Sequence, residues 1–234
     1  MPFQWIPTNP SFENYLSAWT TGNIDAALFN SALASVIMLI FHVLLCSMTG
    51  YVIVKYNFRF KKSIITLIMA TMMLPQEITY FPIYPIIQKL GLINTHLGLA
   101  LPFFYSGFGV FLMMQFSRYM PNEMMESARL DGCSEPMIFF RIAVPMLKSS
   151  MAALSILAFS FMWNEFAWAR IVITGDEMRT LPIVLSQMSM SSDNSKNIPS
   201  LLAASVITAA PVIIVFLMFQ KQFIESVASS GLKG

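Results

Sequence analysis

Charge is what this sequence has least of: 14 Lys and Arg and 12 Asp and Glu among 234 residues make up only 11% of the chain, against about a quarter in an ordinary soluble domain. That shortage excludes a conventional water-soluble surface, and the apolar share of 56% with a mean hydropathy of +0.64 points to a membrane protein. A net charge of +2, with the basic residues in separate short clusters between apolar runs, excludes a nucleic-acid footprint. Cysteine is scarce too. Cys46 lies in an apolar run and Cys133 in a polar stretch, so the pair forms neither a disulfide framework nor a metal site, and both read as packing residues. Histidine occurs only as His42 and His96, and neither H-E-x-x-H nor G-x-S-x-G is present, which argues against an intramembrane hydrolase. His42, alone in an apolar run, reads as a satisfied packing residue. There is no G-x-x-x-x-G-K-[ST] loop to cradle ATP phosphates. The first residues lack the basic and apolar regions of a secretory signal peptide.

Long apolar runs are abundant. Leu33 to Val54, Leu97 to Phe116 and Ile198 to Phe219 are uncharged stretches of 22, 20 and 22 residues, each meeting the roughly 20 needed to cross the hydrocarbon as a helix. Ser63 to Ile87 and Ser149 to Ile173 are apolar as well, but Pro75, Gln76 and Glu77 interrupt the first, and Asn164 and Glu165 the second. Pro75, Pro82 and Pro85 mark a kinked or broken helix. Five spans follow, and no strand alternation suggests a barrel. The fold class expected is therefore an all-α polytopic membrane protein.

Basic residues set the expected direction. Lys55, Arg59, Lys61, Lys62, Arg118, Arg129, Arg141, Lys148, Lys221 and Lys233 all fall on one side, against Lys89, Arg170, Arg179 and Lys196 on the other. The positive-inside rule then puts the C-terminus in the cytoplasm and residues 1–30 outside, with the membrane domain at 31–222 and a cytoplasmic tail at 223–234. A chain that starts outside without a cleaved leader suggests a sixth, more N-terminal helix beyond this sequence.

The link 120–148 is the longest on the basic side and reads as folded. Pro121 suits a first helical position, and Gly132 can adopt the left-handed conformation that closes a helix. Ser134 can cap a second helix whose Met137, Phe140 and Val144 share a face, and Pro145 is expected to end it. Such a pair exposes Met124, Met125, Phe139 and Phe140 to the cytoplasm, either for a partner to cover or to lie on lipid. A carboxylate at Glu126 can pair with a basic partner group, small Ala128 allows close approach, and Gly132 permits a bend.

The segment ESARLDGCSEPMIFFRIAVP, Glu126 to Pro145, resembles the EAA motif of ABC importer permeases, with Glu126 opening it, Gly132 six positions later, then Ile142 and the closing Pro145. Asp131, Gly132, Phe139 and Ile142 resemble the carbohydrate-uptake branch, the maltose-permease-like inner-membrane subunits. Ser127 stands where the motif has its first Ala, Cys133 where Ala is usual, and Val144 where Leu is usual. FNSALAS (Phe29 to Ser35), GLINTHLGLALPF (Gly91 to Phe103), WNEF (Trp163 to Phe166) and TLP (Thr180 to Pro182) extend the likeness along nearly the whole chain. The resemblance implies a type I permease bundle, usually of six spans. It also implies a second permease subunit, an ATP-binding cassette ATPase dimer that carries the ATP and Mg, and an extracytoplasmic solute-binding protein. No cofactor is expected on this chain, and its only other surroundings are membrane lipid, not nucleic acid. Carried over, Glu126, Ala128, Asp131, Gly132, Ile142 and Pro145 would couple the permease to its ATPase.

Within the membrane, Gln76, Glu77, Trp163, Asn164 and Glu165 are candidates for a solute path, because polar groups facing lipid are costly and sugar recognition pairs hydrogen-bonding side chains with aromatic faces. Helix-to-helix hydrogen bonds and interfacial Trp anchoring explain the same residues. A sugar, a sugar derivative or glycerol 3-phosphate all remain open as solutes. An ATP-independent secondary transporter is the alternative, although no inverted repeat or selectivity-filter sequence is apparent.

Overall fold

The structure is a computed structural model that describes residues 11–190 and 194–231, and all regular structure among them is helical. Two helices are long and apolar enough to cross a membrane alone: α2 (Ile24–Lys55) and, within α13 (Asn194–Gly231), the segment Ile198–Lys221. Three bent pairs pass the same test of length and composition, so the count reaches up to five if each pair is one span; the last of them joins Glu135–Met146 to Lys148–Trp163 at 79°.

Each bend has a local cause. α3 (Lys61–Thr71) and α4 (Gln76–Lys89) meet at 103°. Pro75 has an extended ψ of 131°, and its ring biases the preceding residue away from helical geometry, so the chain stops and restarts there. The expected break at Pro75, Gln76 and Glu77 is therefore found, while Pro82 and Pro85 sit inside α4. The third run differs from the uninterrupted span that its hydropathy predicts. α5 (His96–Ala100), extended by a 3-10 turn to Phe103, and α6 (Gly107–Arg118) meet at 52°. The cause is a new helix start, where the Ser106 hydroxyl accepts from the Gly109 amide at 2.9 Å. In the fourth run α10 (Lys148–Trp163) stops at Asn164, and a short α11 (Ala167–Val172) follows the polar cluster.

The N-terminal boundary also differs from the reading of residues 1–30 as a separate segment. α1 (Glu13–Thr21) and the first turn of α2 lie inside it, joined by a tight Gly22-Asn23 link in which Asn23 is left-handed (φ 47°). Residues 1–10 and 232–234, with Lys233, lie outside the described residues, and the tail expected from 223 begins as a continuation of α13.

α2 is the central post. Its buried face carries Ala27, Asn30, Ser31, Ala34, Ser35, Met38, His42, Cys46, Ser47 and Gly50, mostly small or weakly polar residues at helical spacing, the composition that lets membrane helices approach closely. At Gly50 the approach is at its limit: a Cβ there would lie 2.8 Å from Met113 Cβ and from the Met114 amide nitrogen of α6. His42 is satisfied as expected, its Nδ1 lying 2.7 Å from the Phe103 carbonyl oxygen. Both cysteines are free, Cys46 buried and Cys133 half-buried. One core cluster joins α2 and α6 to the 120–148 segment through Tyr51, Met113, Met125, Ile138 and Phe139. The other two gather at the opposite half, around Trp168 and around Trp163.

Candidate functional site

The EAA-like segment forms an elbow. Its first limb is α7 (Asn122–Leu130), and Pro121 stands just before it as the N-cap residue, one position earlier than its expected place inside the helix. The limb closes with the Cys133 amide donating to the Ala128 carbonyl and the Gly132 amide to the Arg129 carbonyl, both at 3.0 Å. Gly132 has a φ of +80° at the position that this closure needs. The second limb starts after Ser134 as α8 (Glu135–Ile138), passes through a π turn over Phe139–Ala143, and ends as α9 (Val144–Met146). Ser134 holds the cap position without a side-chain hydrogen bond. Pro145 does not end the limb: it lies within α9, and the 79° bend to α10 falls at Leu147. The helix continues through this proline directly after the π turn over Phe139–Ala143, where the ordinary hydrogen-bond register is already interrupted.

Of the six coupling candidates, Ala128, Asp131 and Ile142 line one open crevice between the limbs, and Gly132 forms the turn beside it. Glu126 is exposed on α7, and Pro145 is exposed on the far limb. The expected exposed apolar set holds only in part. Met124 and Phe140 are exposed, but Met125 and Phe139 are buried at 2% and 4% exposure and root the elbow in the core. Leu130, not singled out from the sequence, is 90% exposed at the end of α7.

Sequence reasoning also missed the polar contacts that hold the elbow. Arg129 Nε and Nη2 reach the two Glu135 carboxylate oxygens at 2.7 and 3.3 Å, and the Tyr56 hydroxyl donates to the same carboxylate. The Arg129 guanidinium, and then the Tyr56 hydroxyl, hold the Glu135 carboxyl below its usual range. Lys55, at the end of α2, donates to the Met120 carbonyl and to Asn122 Oδ1. The loops carrying Lys55, Arg59, Lys61 and Arg129 thus share one end of the bundle.

At the opposite end a second polar cluster joins α2, the α4–α5 link and the loop after α11. Asn94, left-handed at φ 59°, accepts from the Thr174 and Gly175 amides at 3.2 and 2.9 Å and donates to Glu177 Oε1 at 2.9 Å. Asn30 donates to the Glu177 and Arg179 carbonyls at 2.8 and 3.0 Å, and its Oδ1 lies 2.9 Å from His96 Nε2. Ser31 accepts from the Leu181 amide at 2.9 Å, at the start of α12 (Leu181–Met190).

The candidates for the solute path divide. Gln76 lines a cavity of about 240 Å³ with His42, Phe103, Tyr105, Ser106 and Phe161, at the break in the third span. Glu77 is exposed in the first turn of α4, and the Glu165 carboxylate accepts from the Trp168 amide at 2.7 Å, at the start of α11. Tyr80 packs at a tilt against Trp168, with ring centroids 5.3 Å apart, which brings the two polar breaks together. Asn164 is exposed and bonds back to the Ser160 carbonyl at 2.7 Å. Trp163 is 3% exposed, and its Nε1 donates to the Thr208 carbonyl of α13 at 3.0 Å, a helix-to-helix contact. A buried Trp that donates to a neighbouring helix meets its one hydrogen-bonding need inside the bundle, as the helix-to-helix reading of this residue expects.

With this geometry in place, residues 42–228 match the family model described as binding-protein-dependent transport system inner membrane component. The chain is 38% identical over 229 residues to the arabinooligosaccharides transport system permease protein AraQ of Bacillus subtilis, covering 97% of this chain and 81% of that protein. The AraQ protein of Halalkalibacterium halodurans is 34% identical over the same shares. Among solved structures, a bacterial ABC transporter involved in the import of the acidic polysaccharide alginate contains a chain with the same fold, at a TM-score of 0.83 and 21% identity over 93% of this chain and 81% of that one.

Proposed function

Because this chain belongs to the binding-protein-dependent transport system inner membrane components, the permease subunits of ABC importers, we propose that it moves a sugar or sugar derivative, most closely an oligosaccharide, through alternating access. Its own part is to build the solute path and to receive the stroke of a partner ATPase at the elbow within residues 120–148. The single observation that carries this reading is the elbow itself. A rigid two-limb projection is rooted in the core by Met125 and Phe139, yet it leaves Met124, Leu130 and Phe140 exposed beside the crevice of Ala128, Asp131 and Ile142. Glu126, Gly132 and Pro145 complete the surface that meets the ATPase. A second permease faces this one across the path, and the C-terminus lies in the cytoplasm with the elbow.

The oligosaccharide assignment draws on the AraQ relatives, whose names state arabinooligosaccharide transport. The wall of Gln76, Tyr105 and Ser106 beside Phe103 and Phe161 suits hydroxyl-rich solutes, because it sets a few polar groups against aromatic faces. ATP and Mg bind the partner, and this chain supplies no phosphate cradle.

The test is uptake in proteoliposomes holding the complete importer and its binding protein. Uptake of arabinooligosaccharides is expected only with ATP and the ATPase subunit present. Equal uptake without either would overturn the reading.

A further inference from the structure

The turn at the heart of the elbow is open on its outer side, where a Cβ added at Gly132 would meet nothing within 4 Å. Backbone bonds from Gly132 and Cys133 close it, and Met125, Ala128, Ile138 and Phe139 of the two limbs share one core cluster beneath it. A side-chain bridge on the open side adds to these if a push on one limb is to move the other. Of the two ion pairs among the described residues, one spans this turn: Arg129 from the last residues of α7 to Glu135 at the start of α8. The contact is two-pronged, which fixes direction as well as distance.

The same carboxylate accepts from the Tyr56 hydroxyl, and the Arg129 guanidinium carbon lies 5.6 Å from the Tyr56 ring centre. Tyr56 directly follows α2 and is not part of the elbow. Behind it, Tyr51 of α2 lies 5.9 Å from Tyr56 and 5.4 Å from Phe139, measured between ring centres. At the other end of α7, Lys55 holds the Met120 carbonyl and Asn122. The end of α2 therefore grips α7 at its start and at its finish. By chain connection alone the elbow would drive only its neighbours, α6 and α10.

We infer that Tyr56, Arg129 and Glu135 are positioning residues that lock the angle of the elbow and clamp it to the inner end of α2, so that the ATPase stroke enters the central helix directly. The inference rests on the elbow being the ATPase contact, and it adds the route that the stroke takes afterwards. α2 carries the polar cluster at Asn30 and Ser31 on its opposite end, so a push at Tyr56 reaches that cluster through one continuous helix.

The test uses the complete importer with its ATPase and binding protein in proteoliposomes, and it reads solute molecules taken up per ATP hydrolysed. Tyr56→Phe keeps the ring and removes only the donor, and Glu135→Gln removes the charge. Each is expected to lower uptake per ATP by about fivefold or more, while the ATPase co-purifies at the wild-type ratio. Arg129→Glu and Glu135→Arg alone are expected to behave the same way, and the double exchange is expected to recover most of the ratio, which a merely space-filling role would not produce. Unchanged uptake per ATP in both Tyr56→Phe and Glu135→Gln would overturn the inference. Loss of the ATPase from the Tyr56→Phe complex would also overturn it, since Tyr56 would then serve docking and not transmission. If the wild-type importer holds no ATPase at the elbow, the failure belongs to the proposed function instead.

Discussion

The two ends of the bundle are fastened by different chemistry. The cluster far from the elbow is made mainly of amides, hydroxyls and backbone groups: Asn30, Ser31 and Asn94 satisfy the amides and carbonyls of the loop from Thr174 to Leu181. The elbow is fastened by an exposed ion pair and a phenol, and it leaves apolar side chains such as Leu130 and Phe140 in the open. Satisfied neutral hydrogen bonds hold one arrangement with little need of a partner. An exposed apolar projection is the kind of surface that a partner covers. Under the proposed function that partner is the ATPase, and the difference separates a part fastened within the chain from a part that assembly would complete.

The strongest way to break that contrast is at Gly132. Its φ of +80° disfavours any side chain, most of all a β-branched one. Gly132→Val is expected to lower solute-stimulated ATP hydrolysis and uptake by about tenfold or more, with membrane insertion intact, whereas Gly132→Asn, which tolerates this conformation, is expected to keep most of the activity. Equal activity in glycine and valine forms would show that the turn is not mechanical.

At the opposite end from the elbow, Asn94→Ala removes the acceptor of two loop amides that solvent can still reach, at a cost of about 0.5–1.5 kcal/mol for each bond lost. Faster hydrogen exchange at Thr174 and Gly175 is expected, together with reduced uptake and unchanged co-purification of the ATPase. Unaltered exchange would remove the fastening role of the Asn94 cluster. Trp163→Phe tests whether this residue fastens helices and not the solute: loss of the bond to the Thr208 carbonyl is expected to cost about 1 kcal/mol of stability in thermal unfolding, and the KM for solute is expected to stay unchanged. A shifted KM would place Trp163 on the path.

The smallest effect separates the ends by pH. Arg129 first, and Tyr56 second, depress the Glu135 carboxyl. A depressed carboxyl adds stability above its unfolded value, about 4.3, and loses it as pH falls through the lower folded value. The difference in thermal midpoint between wild type and Glu135→Gln is therefore expected to be constant at neutral pH and to shrink only on the acid side of the usual carboxylate range. A difference that grows on acidification would contradict the ion pair.

Local features were legible in the sequence, and distant ones were not. Gly132 ends α7 through bonds to residues at most five positions away, so its role follows from residue type and spacing. The Pro75 break was legible for the same reason. The break at Ser106 was hidden because an uncharged serine and glycine barely change hydropathy, although Ser106 three positions before Gly109 is a capping signal. Tyr56 and Glu135 are 79 residues apart, and Asn94 and Gly175 81 apart, so no window of sequence could pair them. Gln76 and Glu165 were picked out because polar side chains stand out in apolar runs. Trp163 stands out as an aromatic face beside Asn164, yet its indole N–H is spent on a backbone carbonyl 45 residues away.

The central claim is that the elbow seats in an ATPase, and Leu130, 90% exposed at the end of α7, is the place to ask. A photo-reactive phenylalanine analogue at position 130, irradiated in the purified, fully assembled importer in lipid nanodiscs, is expected to form its adduct with the ATPase subunit. An adduct with lipid alone, or with nothing while the ATPase is present in the particle, would contradict the account.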